Sequence, residues 1–453
     1  MRAAARLLSL TLLCHAAGGL VAQDATGELA ASADEVRSGE AATYGPAMDE
    51  RDRAPVPAPI AIPDPLDRAA TLAADTHPRV RVARAEADAL AFEKRGAHWG
   101  RYPRASVEAL AATEGSSFAD QDGLALNAIL EQPIWSGGRI DGEIDRARAN
   151  LRAGEDRVDA ARSDIVLRVT QAYYDYVRAD TRYAILDASL GEHRDLLAAI
   201  GRRVDQGVSP RADMTLGQSR TAQVELDLAM AGETREGALV RLQALTGEGD
   251  YEAVLPLVST LDTLPPQEIA LDEALGCSPE LAALTDLVDV AEAQRRIAKS
   301  QVWPEVVLQL SQNEITGARA AVVLRAQLGN GLAQFSAVDA ADARIAQAIA
   351  EFGDAERRLR EQLRRDYVLV RAASARIDAG VLAADTAKEI IASYRRQFIA
   401  GRRSWLDVMN ATREAAGAQL SEADARVIAA ESTARILALT CRWQPGSTSG
   451  VIG

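Results

Sequence analysis

With 65 acidic against 51 basic side chains over 453 residues, and a net charge of −14, the chain offers no basic face for a phosphate backbone, which excludes a nucleic-acid partner. Aromatic residues are only 4% of it, and its alanine, leucine and arginine suit long helices better than a thick globular core. Three cysteines and four histidines stand in no metal-ligand spacing. There is no Gly-rich phosphate loop, nucleophile elbow or HExxH, so no enzyme, resident metal or cofactor is expected.

Residues 1–22 read as a secretory signal peptide. Arg2 and Arg6 precede an apolar run, Leu7 to Leu13, that is too short to span a membrane, and small residues follow. Leu13 is too bulky to precede a lipid-modified Cys14. Residues 23–63 are rich in alanine and proline, and Pro55, Pro57, Pro59, Pro63 and Pro65 are expected to prevent regular helix. A first helix is expected from Leu66 to His98, broken near His77-Pro78 because a residue before proline resists the helical conformation.

After Pro103 the period changes from helical to alternating. Val107, Ala109 and Ala111 share one face; past the turn-rich EGSSFADQDG, Leu124, Leu126, Ala128 and Leu130 alternate with Ala125, Asn127, Ile129 and Glu131. This predicts a β-hairpin over about 104–134 with one apolar face. A long helix over 139–206 follows, with apolar residues or tyrosines at threes and fours from Ile140 to Val204, interrupted only by Gly154 and His193. That is a coiled-coil seam. Tyr173, Tyr174 and Tyr176 are expected to pack in it, as is His193. A returning helix is expected over 209–246, then a Pro-rich linker, 248–271.

The second half repeats the first. Val306, Leu308 and Leu310, then Ala320, Val322 and Leu324, predict a second hairpin over 305–328. A looser seam from Ile345 to Phe398 predicts a long helix over 336–400, a returning helix over 404–441 follows, and 442–453 is a tail. Gly207, Asp213 and Leu245-Thr246 recur as Gly401, Asp407 and Leu439-Thr440 at one constant offset. Pro78 and Pro103 recur as Pro279 and Pro304 at a second. Two constant offsets indicate a duplication, 64–247 and 272–441, with one length change between Pro103 and Gly207; the period is too long for a solenoid unit. A Cys277–Cys441 disulfide is left open.

Ordered this way, Gln132-Pro133-Ile134-Trp135-Ser136-Gly137-Gly138-Arg139, Gly207-Val208-Ser209-Pro210-Arg211-Ala212-Asp213, Leu245-Thr246-Gly247 and Gly401 through Asp407 resemble the outer-membrane efflux (TolC) family. The resemblance covers nearly the whole chain from about 64 to 441. It implies a mainly helical fold with β structure: a homotrimer whose four strands per chain close a twelve-stranded barrel in outer-membrane lipid. A helical coiled-coil barrel would continue it across the periplasm. The implied function is the exit duct of a tripartite efflux or type I secretion system, in the bacterial outer membrane with a large periplasmic extension. An inner-membrane transporter drives it, and a periplasmic adaptor docks at the glycine tips: Gly207, Val208, Ser209, Gly401, Arg402 and Ser404. Pro103, Pro133, Gly138 and Pro304 mark the strand–helix junctions.

The resemblance also implies a closing network near the second glycine, with tyrosine three residues before it, arginine two after, and aspartates six and nine after. Phe398, Arg403, Asp407 and Asn410 stand there, so Arg403, Asp407 and, in the first repeat, Asp213 are the candidate pore-constriction residues, with one ring of three aspartates at Asp407. The wording SYRRQFIAGRRSWLDVMNA looks like the branch serving type I secretion of large adhesins. Read from residues alone, Ser404-x-x-Asp407 fits a capping box and Asp213 favours a helix N-terminus. Other acidic residues on the coiled-coil surfaces read as solvated faces. The competing function is a periplasmic coiled-coil scaffold or adaptor that never enters the membrane; it explains the helices but not two matching hairpins.

Overall fold

The structure, a computed structural model, describes residues 61–112, 123–247, 249, 251–254, 264–313, 317–326 and 333–445. The signal peptide, nearly all of 23–63, the first hairpin's turn, residues 327–332, much of the linker and the end of the tail lie outside these residues.

Helices α1 (Asp64–Thr76) and α2 (Pro78–Trp99) are the first described, and α1 corrects the expectation at Pro63 and Pro65: Pro63 is its N-cap and Pro65 sits in its first turn, where a missing N–H costs no helical bond. His77 between them is extended at φ −60° and ψ 137°, and its Nδ1 accepts the Arg79 N–H at 3.1 Å. Pro78 fills the first helical position, where its missing N–H leaves no bond unmade. Strands β1 (Arg104–Ala112) and β2 (Gly123–Trp135) follow, then α3 (Arg139–Asp205) and α4 (Arg211–Thr246). The second half runs α5 (Gln267–Cys277), α6 (Pro279–Ser300), β3 (Glu305–Asn313), β4 (Gly317–Arg325), α7 (Ala333–Ile399) and α8 (Trp405–Leu439). Helix α5 occupies the end of the segment read as a linker. Pro265 and Pro266 break no helix; Pro266 is the N-cap of α5.

Helices α3 and α7 each hold 67 residues, about 100 Å at 1.5 Å per residue. Every seam position in both is buried or half-buried. Gly154 has a packing reason: a Cβ there would sit 2.5 Å from Leu90 Cδ1 of α2, so its absence lets the two helices approach. Helix α8 packs against both α7 and α3, and its buried Ala423, Ala425, Ala429, Ala430 and Ala434 keep those contacts close.

The four strands form one antiparallel sheet in the order β1-β2-β3-β4, so β2 and β3 join the two halves and β1 and β4 are its edges. Register gives the sheet two unlike faces. Val107, Ala128, Leu130, Leu310, Ala320 and Val322 fall on one; Glu108, Asn127, Glu131, Gln309, Ser311 and Arg319 fall on the other.

The main core lies where α1 crosses α3, around Leu66, Ile165, Val169, Tyr173 and Tyr174. The Tyr173 hydroxyl accepts the Val254 N–H at 3.1 Å and donates to the Glu252 carbonyl at 3.2 Å, pinning the chain beyond α4, and burial pushes its pKa up to about 12. His193 is buried with Nδ1 2.7 Å from the Ser189 carbonyl. A second cluster packs α5 on Leu363, Tyr367 and Val370 of α7. Beside it, Cys277 and Cys441 are joined by a disulfide.

Candidate functional site

Both helical hairpins turn in the same way. Gly207 and Gly401 each take φ +71°; the Gly207 N–H donates to the Val204 carbonyl at 2.9 Å and the Val208 N–H to the Arg203 carbonyl at 2.8 Å. In the second copy Gly401 donates to Phe398 at 3.0 Å and Arg402 to Gln397 at 2.9 Å. These are paired Schellman closures, which need a left-handed residue at that point and so require glycine. Arginines Arg202, Arg203 and Arg396 fill the last helical turns, where the helix dipole favours cations.

The returning helices start differently. Ser404 caps α8, its Oγ accepting the Leu406 N–H at 3.1 Å; Ser209 does not cap α4, whose N-cap is Pro210. Asp407 and Asp213 lie in the two first turns, both half-buried. Arg403 Nη1 stands 3.8 Å from Asp407, so these two candidates are brought together, and the Arg403 guanidinium lies 3.8 Å over the Tyr394 ring. Phe398 is buried, with Arg203 5.2 Å over its ring, and Asn410 is exposed. Leu196, Ile200, Phe398, Trp405, Val408 and Met409 form the apolar cluster joining the two tips. An ion pair between Glu192 and Arg395 links α3 to α7.

At the strand junctions, Gly137 and Gly138 take φ +62° and +90°. Arg139 joins α3 to β3, holding Glu143 at 3.1 Å and Glu305 at 2.8 Å. Pro133 stands at a register shift in the β2–β3 pairing, the one kind of place where a central strand tolerates a residue without N–H. Pro103 and Pro304 immediately precede β1 and β3.

One feature escaped the reading of the sequence. Exposed aromatics mark all four junctions: Trp99 and Tyr102 before β1, Trp135 ending β2, Trp303 before β3 and Phe335 opening α7 after β4. Three of the chain's five tryptophans are in this set, and Trp99 and Trp303 are 68% and 62% exposed. The signal was available: in so aromatic-poor a chain, tryptophans flanking strands are not scattered. Among the described residues no helix is long and apolar enough to cross a membrane, and none form a cluster that could hold a metal ion.

Against known proteins, the chain is 22% identical over 309 residues to the alkaline protease secretion protein AprF of Pseudomonas aeruginosa, covering 64% of each. It is 26% identical over 193 residues to the cobalt-zinc-cadmium resistance protein CzcC of Cupriavidus metallidurans, 42% of this chain and 46% of that one. It thus spans just under two thirds of one relative and under half of the other. Its fold matches the outer membrane protein VceC of Vibrio cholerae with a TM-score of 0.71 at 19% identity, over 83% of this chain and 96% of that one. It also matches the open-state MtrE outer membrane channel of Neisseria gonorrhoeae with a TM-score of 0.69 at 18% identity, over 83% and 88%. The family described as outer membrane efflux protein matches residues 70–248 and 270–441, one span for each half of the duplication, and the chain belongs to that family.

Proposed function

We propose that the protein is the exit duct of a tripartite export system. Three copies would close their sheets into one twelve-stranded barrel in the outer membrane, continued through the periplasm by their long helices. The observation that carries this is the sheet. It exposes an apolar face, with Val107 and Val322 each 71% exposed, keeps charges on the other, and leaves β1 and β4 unpaired at its edges. An open edge cannot stay unpaired in lipid, whereas a closed barrel satisfies every backbone group. The aromatics at the junctions suit the membrane–water boundary. A periplasmic scaffold would have no use for such a sheet.

Conduction is passive. A periplasmic adaptor engages the tips around Gly207, Val208, Ser209, Gly401, Arg402 and Ser404, an inner-membrane transporter supplies energy, and docking biases the tips from closed to open. The longer match, to a protein named for protease secretion, favours a polypeptide cargo; the shorter one, to a metal-resistance protein, supports efflux of small solutes as the second reading. Pull-down of the adaptor with its transporter separates the two. The duct itself is tested by washing membranes with carbonate or urea: the chain stays in the pellet, and release into the wash would sink the proposal.

Asp407, Arg403 and Asp213 are assigned to the constriction. Asp407→Ala is expected to lower cation selectivity and cation block of single channels in a planar bilayer several-fold. Unchanged conductance, selectivity and block would leave Asp407 as a helix-terminal residue only.

A further inference from the structure

Among the described residues the four strands carry six charged side chains, and register puts all six on one face. Arg104 of β1 pairs with Glu131 of β2, which pairs with Gln309 of β3; Glu305 of β3 pairs with Arg325 of β4, and Glu108 and Arg319 lie farther along the same side. That face is also the concave one. Asn127, Ile129 and Glu131 are half-buried where Leu126, Ala128 and Leu130 of the same strand are exposed, and Gln309 and Ser311 are half-buried where Leu310 and Gln312 are exposed. Side chains crowd together on the inside of a curved sheet and spread apart on its outside.

The charges are joined at the end of the sheet nearest the helices. Glu131 accepts from both terminal nitrogens of Arg325, Nη1 at 3.3 Å, and from Gln309 Nε2 at 3.3 Å, so one carboxylate reaches from β2 across β3 to β4. Glu305 is taken by Arg139 at 2.8 Å. That leaves Glu131 as the counter-charge for Arg325 and also for its register partner Arg104. Over the whole face Arg104, Arg319 and Arg325 balance Glu108, Glu131 and Glu305. In a chain of net charge −14, neutrality on this one surface is not the background value.

We propose that Glu131 sets the charge of the barrel's lumen, cancelling Arg325 and Arg104 so that cargo of either sign passes the root of the barrel and selection by charge is left to the tip. The proposal rests on the closed-barrel reading, which turns this face inward. Three copies then repeat the group around one opening, and loss of the Glu131 charge bares a ring of arginines. An ion pair between part-exposed groups adds little stability. Its charges are still felt by a passing ion within a Debye length, about 10 Å at 0.1 M salt, so the larger effect of Glu131 is on what moves past it.

The test reads the local potential in isolated outer membranes. Ser311→Cys places a thiol on the charged face, one step of about 7 Å beyond Gln309, and Ala128→Cys places one on the apolar face; Cys277 and Cys441 are occupied by their own disulfide. Each thiol is treated with thiosulfonates carrying either a sulfonate or a trimethylammonium group. Ser311→Cys is expected to react and Ala128→Cys to be shielded by lipid. Adding Glu131→Gln is expected to raise the anionic-to-cationic rate ratio at position 311 about five-fold in dilute buffer, and adding Arg325→Gln to lower it by about the same factor. Loss of a merely structural contact would not give opposite signs. If both ratios stay at the value for Ser311→Cys alone while position 128 stays shielded, the group is only a staple between strands, and the duct reading stands without the proposal. Equal reactivity at positions 311 and 128 would overturn the inward face and the duct reading with it.

Discussion

Cys277→Ser combined with Cys441→Ser is expected to lower the temperature at which the helical region melts by several degrees, and dithiothreitol should do the same to the natural chain. The bond closes a sequence separation of 164 residues; in the chain-entropy account a loop of that size is worth up to about 5 kcal/mol through the unfolded state. Its position adds a folded-state reason. Cys441 lies just beyond α8, at φ 55°, the one non-glycine residue with positive φ among the described residues. The segment it begins is tied at three points: to α5 by the disulfide, to α5 again by Arg442 and Glu273 at 2.7 Å, and to α1 by Trp443 Nε1 on Asp67 at 2.7 Å. The Arg442–Glu273 pair is part-exposed, and such pairs contribute only about 0–1 kcal/mol, so it does not replace the covalent link. An oxidising periplasm keeps the bond formed. The measurement is circular dichroism at 222 nm on heating, with and without reductant; superimposable curves for the natural and serine chains would remove the disulfide from the account of stability.

Much of the fold was legible because its signals are local. Alternation at Leu126, Ala128 and Leu130 becomes one face of a sheet, and the steps of three and four from Ile140 to Val204 become positions that are never exposed. Gly207 and Gly401 announce their turns because almost no other residue takes φ +71° there. What stayed hidden depends on residues far apart in sequence. Nothing local couples Cys277 to Cys441, or Glu192 to Arg395. The junction aromatics belong together only once the strands are paired. At the tips the family pattern pointed to position 398 for a hydroxyl; in this chain Phe398 is buried, and Arg403 rests on Tyr394 one helical turn earlier. Acidic residues on the long helices read as solvated, and at Asp366 that reading fails.

Asp366→Asn is expected to stabilise the helical region at pH 7.5 and to do only about a third as much at pH 4.5. Asp366 lies on α7 with no exposure, 3.3 Å from Arg435 of α8, yet neither carboxylate oxygen receives a well-directed hydrogen bond. Arg435 also stands 3.9 Å from Glu431, which Arg178 of α3 holds at 3.2 Å, and Arg178 in turn reaches Asp175 and Asp424. One guanidinium shared between two acids does not repay the burial of Asp366, and desolvation outweighs Arg435 and Arg365 to push its pKa up to about 6. A folded-state pKa above the ordinary value of 3.8 means that folding favours the protonated acid. Stability is therefore gained as pH falls through 6 towards 4, and the ionised form costs about 3 kcal/mol per chain at pH 7.5. Glu431, raised mainly by its own burial, acts in the same direction and leaves a smaller residual slope in the variant. Asparagine keeps the shape and removes the charge, so melting temperatures of the natural chain should rise from pH 7.5 to 4.5 while those of the variant stay nearly level. A natural chain that melts lower in acid across this window would show that Arg435, rather than burial, governs Asp366.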